Sequence, residues 1–203
     1  MIIPSMTSAQ GKKPTYPPTK TDNVIDTLHG VKIVDPYRWL EDGNSDATKA
    51  WVEEQNKFTQ SLLGKVPGRD KIRERLSNLL EIGTLGTPTP RKGRYFYTKR
   101  EGTQNQPVLF VREGRDGKDR VLIDVNALSK DGTVALDWYY PSRDGKLLAY
   151  GLSKDGSEVS TLSVRNVDSG QDLPVKIERT RACSLAWLPD NSGFYYTRYP
   201  AVG

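Results

Sequence analysis

The side chains whose types could carry chemistry are few in this chain, and they lie far apart. His29 is the only histidine and Cys183 the only cysteine. General-base catalysis by an imidazole would have to use His29, in Leu28-His29-Gly30, a stretch that reads as a turn between extended segments. The expectation there is a partly buried, hydrogen-bonded structural histidine. Cys183, between Ala182 and Ser184 and ahead of Trp187, reads as a half-buried strand residue rather than a reactive thiol. One cysteine excludes an internal disulfide, and one His plus one Cys cannot build a four-ligand metal site. A Gly-x-Ser-x-Gly nucleophile elbow does not occur. The nearest approach, Gly43-Asn44-Ser45-Asp46-Ala47, lacks the second glycine and falls at a helix cap. Phosphate-binding loops, dinucleotide fingerprints and calcium loops are likewise missing. The carboxylate pairs Glu41/Asp42 and Glu53/Glu54 fall on helix surfaces, where solvation or capping accounts for them. No catalytic, cofactor-binding or metal-ligating residue is assigned, and no cofactor is expected.

Composition narrows the classes further. The 203 residues are 35% hydrophobic and 27% charged, with 13 prolines and 18 glycines, which describes a turn-rich chain with a modest core. No window approaches the roughly 18 consecutive apolar residues of a membrane-spanning helix, so no membrane partner is expected. Met1 to Lys20 shows no basic region followed by an apolar run. Cytoplasm is the expected compartment, with the periplasm as the alternative if a signal peptide precedes this sequence. The net charge of +5 raises a nucleic-acid reading, but its distribution argues against one. Lys65 to Arg120 holds 14 Lys/Arg against 7 Asp/Glu, while the remainder holds 16 against 18. The basic side chains are scattered among acids on helix-like and strand-like stretches rather than gathered in a stripe, so no nucleic-acid partner is expected.

The elements fall into three parts. Residues 1–20, with Pro4, Pro14, Pro17 and Pro18, read as an extended arm that is ordered only where a surface receives it. Residues 21–83 read as a helical segment. Asp35-Pro36 starts a short turn of helix through Asp42; Asn44 or Ser45 caps a helix from about Asp46 to Leu63, with Trp51, Gln55, Phe58 and Leu62 at helical spacing and Gly64 as its stop. Pro67 opens a third helix, with Ile72, Leu76, Leu79 and Leu80 in a stripe and Gly83 after it. Residues 84–203 then read as β structure, starting from the Gly/Pro-rich Thr84–Pro90. Short β runs occur at Tyr95–Thr98, Val108–Val111, Val121–Ile123, Leu147–Tyr150, Thr161–Val164 and Phe194–Thr197. Asp116-Gly117, Asp131-Gly132, Asp144-Gly145, Asp155-Gly156, Ser169-Gly170 and Ser192-Gly193 supply turns between them. With no helix between the strands, antiparallel meanders are expected.

A repeat sharpens the fold. A turn followed by an aromatic strand recurs at Lys92–Tyr97, Asp144–Tyr150 and Asn191–Tyr196, and its closing tyrosines Tyr97, Tyr150 and Tyr196 are 53 and 46 residues apart. That interval suits one four-stranded propeller blade with its loops, so the chain holds about two and a half blades.

Asp35-Pro36-Tyr37-Arg38-Trp39-Leu40-Glu41-Asp42, followed by Trp51 and Glu54-Gln55-Asn56, resembles the N-terminal signature of the prolyl oligopeptidase family of serine peptidases. Asp131–Leu136, Ala149–Ser153, Gly156-Ser157 and Gly193–Pro200 are similar to that family's first propeller blades, in the same order. The likeness runs from about Tyr16 onward and favours the prolyl branch. Two departures are local: Glu158-Val159 stands where that branch usually has Asp-Trp, and Arg181-Ala182-Cys183 replaces a Lys-Phe-Ser run. The resemblance implies a mainly β chain with an N-terminal α-helical segment, forming part of an incomplete seven-bladed propeller. It also implies a C-terminal α/β-hydrolase domain that supplies the Ser, Asp and His, against which the helical segment packs. The expected function is that of the structural, gating part of an endopeptidase acting on short proline-containing peptides, inactive alone. The alternative is a non-catalytic propeller module that binds peptide or protein.

Overall fold

The computed structural model describes residues 13–129 and 131–201, and its contacts divide the chain into two compact units, 1–74 and 75–203. The division falls inside a helix rather than at the Gly/Pro-rich stretch that follows it. Most of the 1–20 arm lies outside the described residues.

In the first unit, β1 (Ile25–Leu28) and β2 (Val31–Val34) form an antiparallel hairpin within the stretch expected to be helical. The reason is local. β-branched residues alternate on both sides of His29-Gly30, and both turn residues take positive φ, 51° and 81°, as a tight two-residue hairpin turn requires. The Asp35-Pro36 start gives only one 3-10 turn, Arg38–Glu41. Asp35 nevertheless accepts from the Tyr37 amide (3.2 Å) and from Arg38 Nε (2.7 Å).

Helix α1 runs Asp46–Leu63 as expected. Ser45 is its N-cap, accepting from the Thr48 amide, and Gly64 follows its last residue. The aromatic face of α1 is covered by the chain's own arm: the Tyr16 ring lies 5.3 Å from Phe58, and Trp51 Nε1 donates to Thr19 Oγ1 at 3.0 Å. Trp39 Nε1 holds the Lys20 carbonyl in the same way (3.0 Å). Helix α2 spans Arg69–Leu80, and its expected stripe is left exposed, with Ile72 at 62% and Leu80 at 64%.

The second unit is three antiparallel sheets in chain order. The first contains β3 (Thr84–Leu85), β4 (Thr89–Arg91), β5 (Arg94–Arg100), β6 (Val108–Glu113) and β7 (Asp119–Ile123). The second is a meander of β8 (Val134–Pro141), β9 (Leu147–Lys154), β10 (Thr161–Asn166) and β11 (Asp172–Ile177). The third is the hairpin β12 (Leu185–Trp187) and β13 (Phe194–Tyr196).

One four-residue helix, α3 (Val125–Leu128), interrupts the expected helix-free run, capped by the Asp124 carboxylate on the Asn126 amide. The turns follow the Gly pairs with two exceptions. Gly117 and Gly193 do not carry the positive φ; Gly114 and Asn191 do.

Alternation of side chains across these strands builds two cores. Phe96, Leu109, Val111 and Ile123 of the first sheet meet Val134, Leu148, Tyr150 and Val167 of the second. The opposite face of the second sheet, with Ala149, Leu162 and Val164, meets Cys183 and Trp187 of the third, with Phe194 packed against them. Tryptophans stitch that junction: Trp138 Nε1 donates to the Thr180 carbonyl (3.1 Å) and Trp187 Nε1 to the Tyr140 carbonyl (3.0 Å). The sheets therefore stack face on face along the chain, as blades do in a propeller.

Candidate functional site

The residue types that could drive catalysis are occupied elsewhere. His29 is exposed in the β1–β2 turn, not partly buried, because the hairpin turn points it away from the sheet. The Ser45 hydroxyl is committed to capping α1 and donates to the Asp42 carbonyl at 3.0 Å. Cys183 is 3% exposed and sits just before β12 rather than in a strand; burial pushes its thiol pKa up, which disfavours the nucleophilic thiolate. Glu53 pairs with Lys57 at 2.8 Å, and Asp42 accepts from the Asn44 amide. Among the described residues, no three His, Cys, Asp or Glu gather where a metal could be held.

What the fold does assemble is a pair of matching polar clusters. Tyr97 on β5 donates its hydroxyl to Asp119 on β7, and Arg112 on the intervening β6 gives Nε to Asp119 at 2.7 Å while lying 5.5 Å from the Tyr97 ring. In the second sheet, Tyr150 on β9 donates to Asp172 on β11 at 2.9 Å. Arg165 on β10 gives Nε to Asp172 at 2.8 Å and lies 5.6 Å from the Tyr150 ring. Registers enforce the match, since Arg112 lies opposite Asp119 and Arg165 opposite Asp172 across their strand pairs.

The electrostatics agree. The hydrogen bond from Tyr97 holds the Asp119 carboxyl below its ordinary value. Burial opposes ionisation of Asp172, but the bonds from Arg165 and Tyr150 prevail and its pKa is also lowered. Burial, reinforced by the bond to Asp172, pushes the Tyr150 phenol up to about 12.

The clusters differ in their surroundings. In the second, Arg165 Nη1 also donates to the Leu122 carbonyl of β7 in the first sheet, at 2.5 Å. The first lines an open cleft of about 330 Å³, together with Leu85, Tyr95 and Lys99. This cleft offers two guanidinium groups (Arg112 and Arg115), an ammonium, the Asp119 carboxylate and phenol rings, a set whose chemistry is that of binding. Sequence reasoning singled out Tyr97 and Tyr150 through their interval of 53 and passed over the arginines and aspartates that keep the same interval.

Comparison with known proteins places this architecture. The family described as "Prolyl oligopeptidase, N-terminal beta-propeller domain" matches residues 16–203. A prolyl endopeptidase of Elizabethkingia meningoseptica is 35% identical over 185 residues, covering 91% of this chain but 26% of that protein. Prolyl oligopeptidase A of Amanita bisporigera is 31% identical over 225 residues, covering 98% of this chain and 29% of its own length. A structure from work on two prolyl endopeptidases superposes with a TM-score of 0.83 at 38% identity, over 93% of this chain and 28% of that one. Prolyl oligopeptidase B of Galerina marginata, bound to a 35mer hydrolysis and macrocyclization substrate, gives 0.75 at 28% identity, over 92% and 30%. The chain thus spans less than a third of the length of each of these relatives.

Proposed function

This chain belongs to the prolyl oligopeptidase family, and from that premise we propose that it serves as the structural and substrate-gating part of a serine endopeptidase that cleaves short peptides after proline. The observation that carries the reading is the match of the family's propeller description to residues 16–203, on a chain whose own sheets stack as successive blades. The nucleophile, base and orienting carboxylate of acyl transfer come, in this proposal, from a hydrolase domain outside these residues. The only histidine, His29, stands exposed in a hairpin turn. The propeller would admit short peptides and exclude folded chains by size, while hydrolysis proceeds through an acyl-enzyme in the hydrolase domain. The helical segment would pack on that domain through the exposed stripe of α2, and the active protein would work in the cytoplasm.

The test is to express the polypeptide encoded by the complete reading frame alongside residues 1–203. The complete polypeptide is expected to hydrolyse a proline-containing chromogenic peptide, and residues 1–203 to give no turnover. A complete polypeptide without serine-peptidase activity that still binds proline-containing peptides would favour the non-catalytic module instead.

A further inference from the structure

The side of the second sheet that faces the first changes character along its length. At one end Leu148 and Tyr150 of β9 are buried in the core that the two sheets share. Further along, strand pairing sets Ser163 of β10 opposite Tyr150 and Lys176 of β11 opposite Ser163, while Thr161 lies opposite Leu152. Thr161, Ser163 and Lys176 therefore share the face of Tyr150, and a polar row stands where the core pattern would continue with apolar side chains. Ser163 is 3% exposed, and its hydroxyl accepts from Lys176 Nζ at 2.7 Å. Beside this row opens a cavity of about 500 Å³. Leu128 of α3 and Leu152 form part of its apolar wall; Lys154, Ser157, Thr161, Ser163 and Lys176 line its polar side. Among the described residues no carboxylate lines it, and neither lysine is ion-paired. The carboxylates near it are placed elsewhere. Asp172, on the strand of Lys176, is taken by Arg165 and Tyr150, and Asp131 and Asp155 line a neighbouring hollow.

We infer that this cavity is a binding site for a phosphate monoester with an apolar ester group, its phosphate held between Lys154 and Lys176. A phosphate monoester carries a charge of about −1.5 to −2 at neutral pH, which two ammonium groups match. Each ammonium brings three donors, and the Ser157 hydroxyl, which accepts from the Val159 amide at 3.3 Å, keeps its proton to donate. Ser153, by contrast, spends its proton on Asp137 (3.0 Å) and adds no donor. A carboxylate offers one charge and two oxygens and leaves part of this set unused. The buried Ser163 hydroxyl fixes the Lys176 ammonium in place, so less side-chain freedom is lost when the anion arrives. The apolar wall takes the ester group, which inorganic phosphate lacks. The site is built from residues of this chain alone and does not depend on the peptidase reading.

The test is a calorimetric titration of phenyl phosphate, inorganic phosphate and benzoate into the polypeptide from the complete reading frame. Phenyl phosphate is expected to bind saturably, more tightly than inorganic phosphate and about tenfold or more tightly than benzoate. Lys176→Met and Lys154→Met should each weaken phenyl phosphate binding by about tenfold, since each removes a charged donor. Ser163→Ala, which frees the Lys176 ammonium, should weaken it by about threefold. Lys57→Met, which removes an equal charge on α1, should leave it unchanged. Lys154 is exposed at the end of β9, so Lys154→Met carries the test if Lys176→Met fails to fold. Absence of saturable binding overturns the site. So does benzoate binding as tightly as phenyl phosphate, or a loss in Lys57→Met as large as in the two cavity variants. Heat of binding is read separately from turnover: an inactive polypeptide that binds phenyl phosphate overturns the proposed function alone, and an active one that does not bind overturns this site alone.

Discussion

The two units of this chain hold themselves together in different ways. In residues 75–203, side chains such as Phe96, Leu109, Leu148 and Leu162 are completely removed from water, because each sheet lends a face to the next. In the described part of residues 1–74, no hydrophobic side chain is buried, and Thr48 is the one residue that is. That unit relies instead on a helix cap, on the two indole hydrogen bonds to the arm, and on Arg38 bridging Asp26, Asp35 and Glu41. Exposed ion pairs of this kind stabilise weakly. Burial of repeating sheet faces can therefore carry stability within the partial propeller, while the first unit keeps Ile25, Val31, Val34 and Leu63 exposed, as a segment that docks elsewhere would.

The contrast breaks most visibly at Phe96. Phe96→Ala is expected to cost about 3–5 kcal/mol by urea denaturation, whereas Val52→Ala on the exposed side of α1 should stay within about 0.5 kcal/mol. Comparable losses at the two positions would mean that the first unit has a core of its own. A smaller effect is expected at Gly151, where an added Cβ would come within 2.4 Å of the Trp138 ring. Gly151→Ala should cost about 1–3 kcal/mol and quench less Trp138 fluorescence change on unfolding if the ring has been displaced. In the first unit, Ser45→Ala removes the cap of α1 and should cost about 1 kcal/mol, read as faster amide exchange in α1 with β5 and β9 unchanged. Exchange that rises equally in the sheets would show that the units unfold together.

The smallest effects are those of pH. Asp119 and Asp172 have lowered carboxyl pKa values in the folded state, so their contribution is present above the unfolded value near 4 and is lost as pH falls through the folded one. Tyr150 is shifted the other way: its contribution is complete below the unfolded value near 10 and disappears as pH rises toward about 12. Both limbs should appear in the melting temperature of the second unit, and Asp172→Asn should flatten the acid limb. An unaltered acid limb in that variant would remove Asp172 from the account.

Much of this organisation was legible in the residues. The α1 boundaries follow from a cap at Asn44 or Ser45, of which the structure uses Ser45, the apolar spacing and Gly64, and the blades from the interval between Tyr97 and Tyr150. The strands that escaped notice break a local rule for a tertiary reason. β11 contains Pro174, which an outermost strand tolerates because one side of it needs no ladder partner. β8 carries Asp137 at a bulge, where its carboxylate accepts from Ser153 (3.0 Å) and Ser160 (2.5 Å). The β1–β2 hairpin is half legible: Leu28-His29-Gly30 reads as a turn between extended segments, but the strands on either side pair only with each other inside a stretch that otherwise reads as helical. Arg112 and Arg165 looked like part of a scattered basic surface, since a strand register, not sequence proximity, brings each to its aspartate.

We propose that this chain is the propeller part of a serine peptidase whose cutting residues lie outside 1–203, and one measurement decides it. The complete polypeptide is labelled with a serine-reactive fluorophosphonate and the modified residue is located by mass spectrometry. A single labelled serine outside residues 1–203 is expected, with no label on residues 1–203 expressed alone. A labelled serine within residues 1–203 would contradict it.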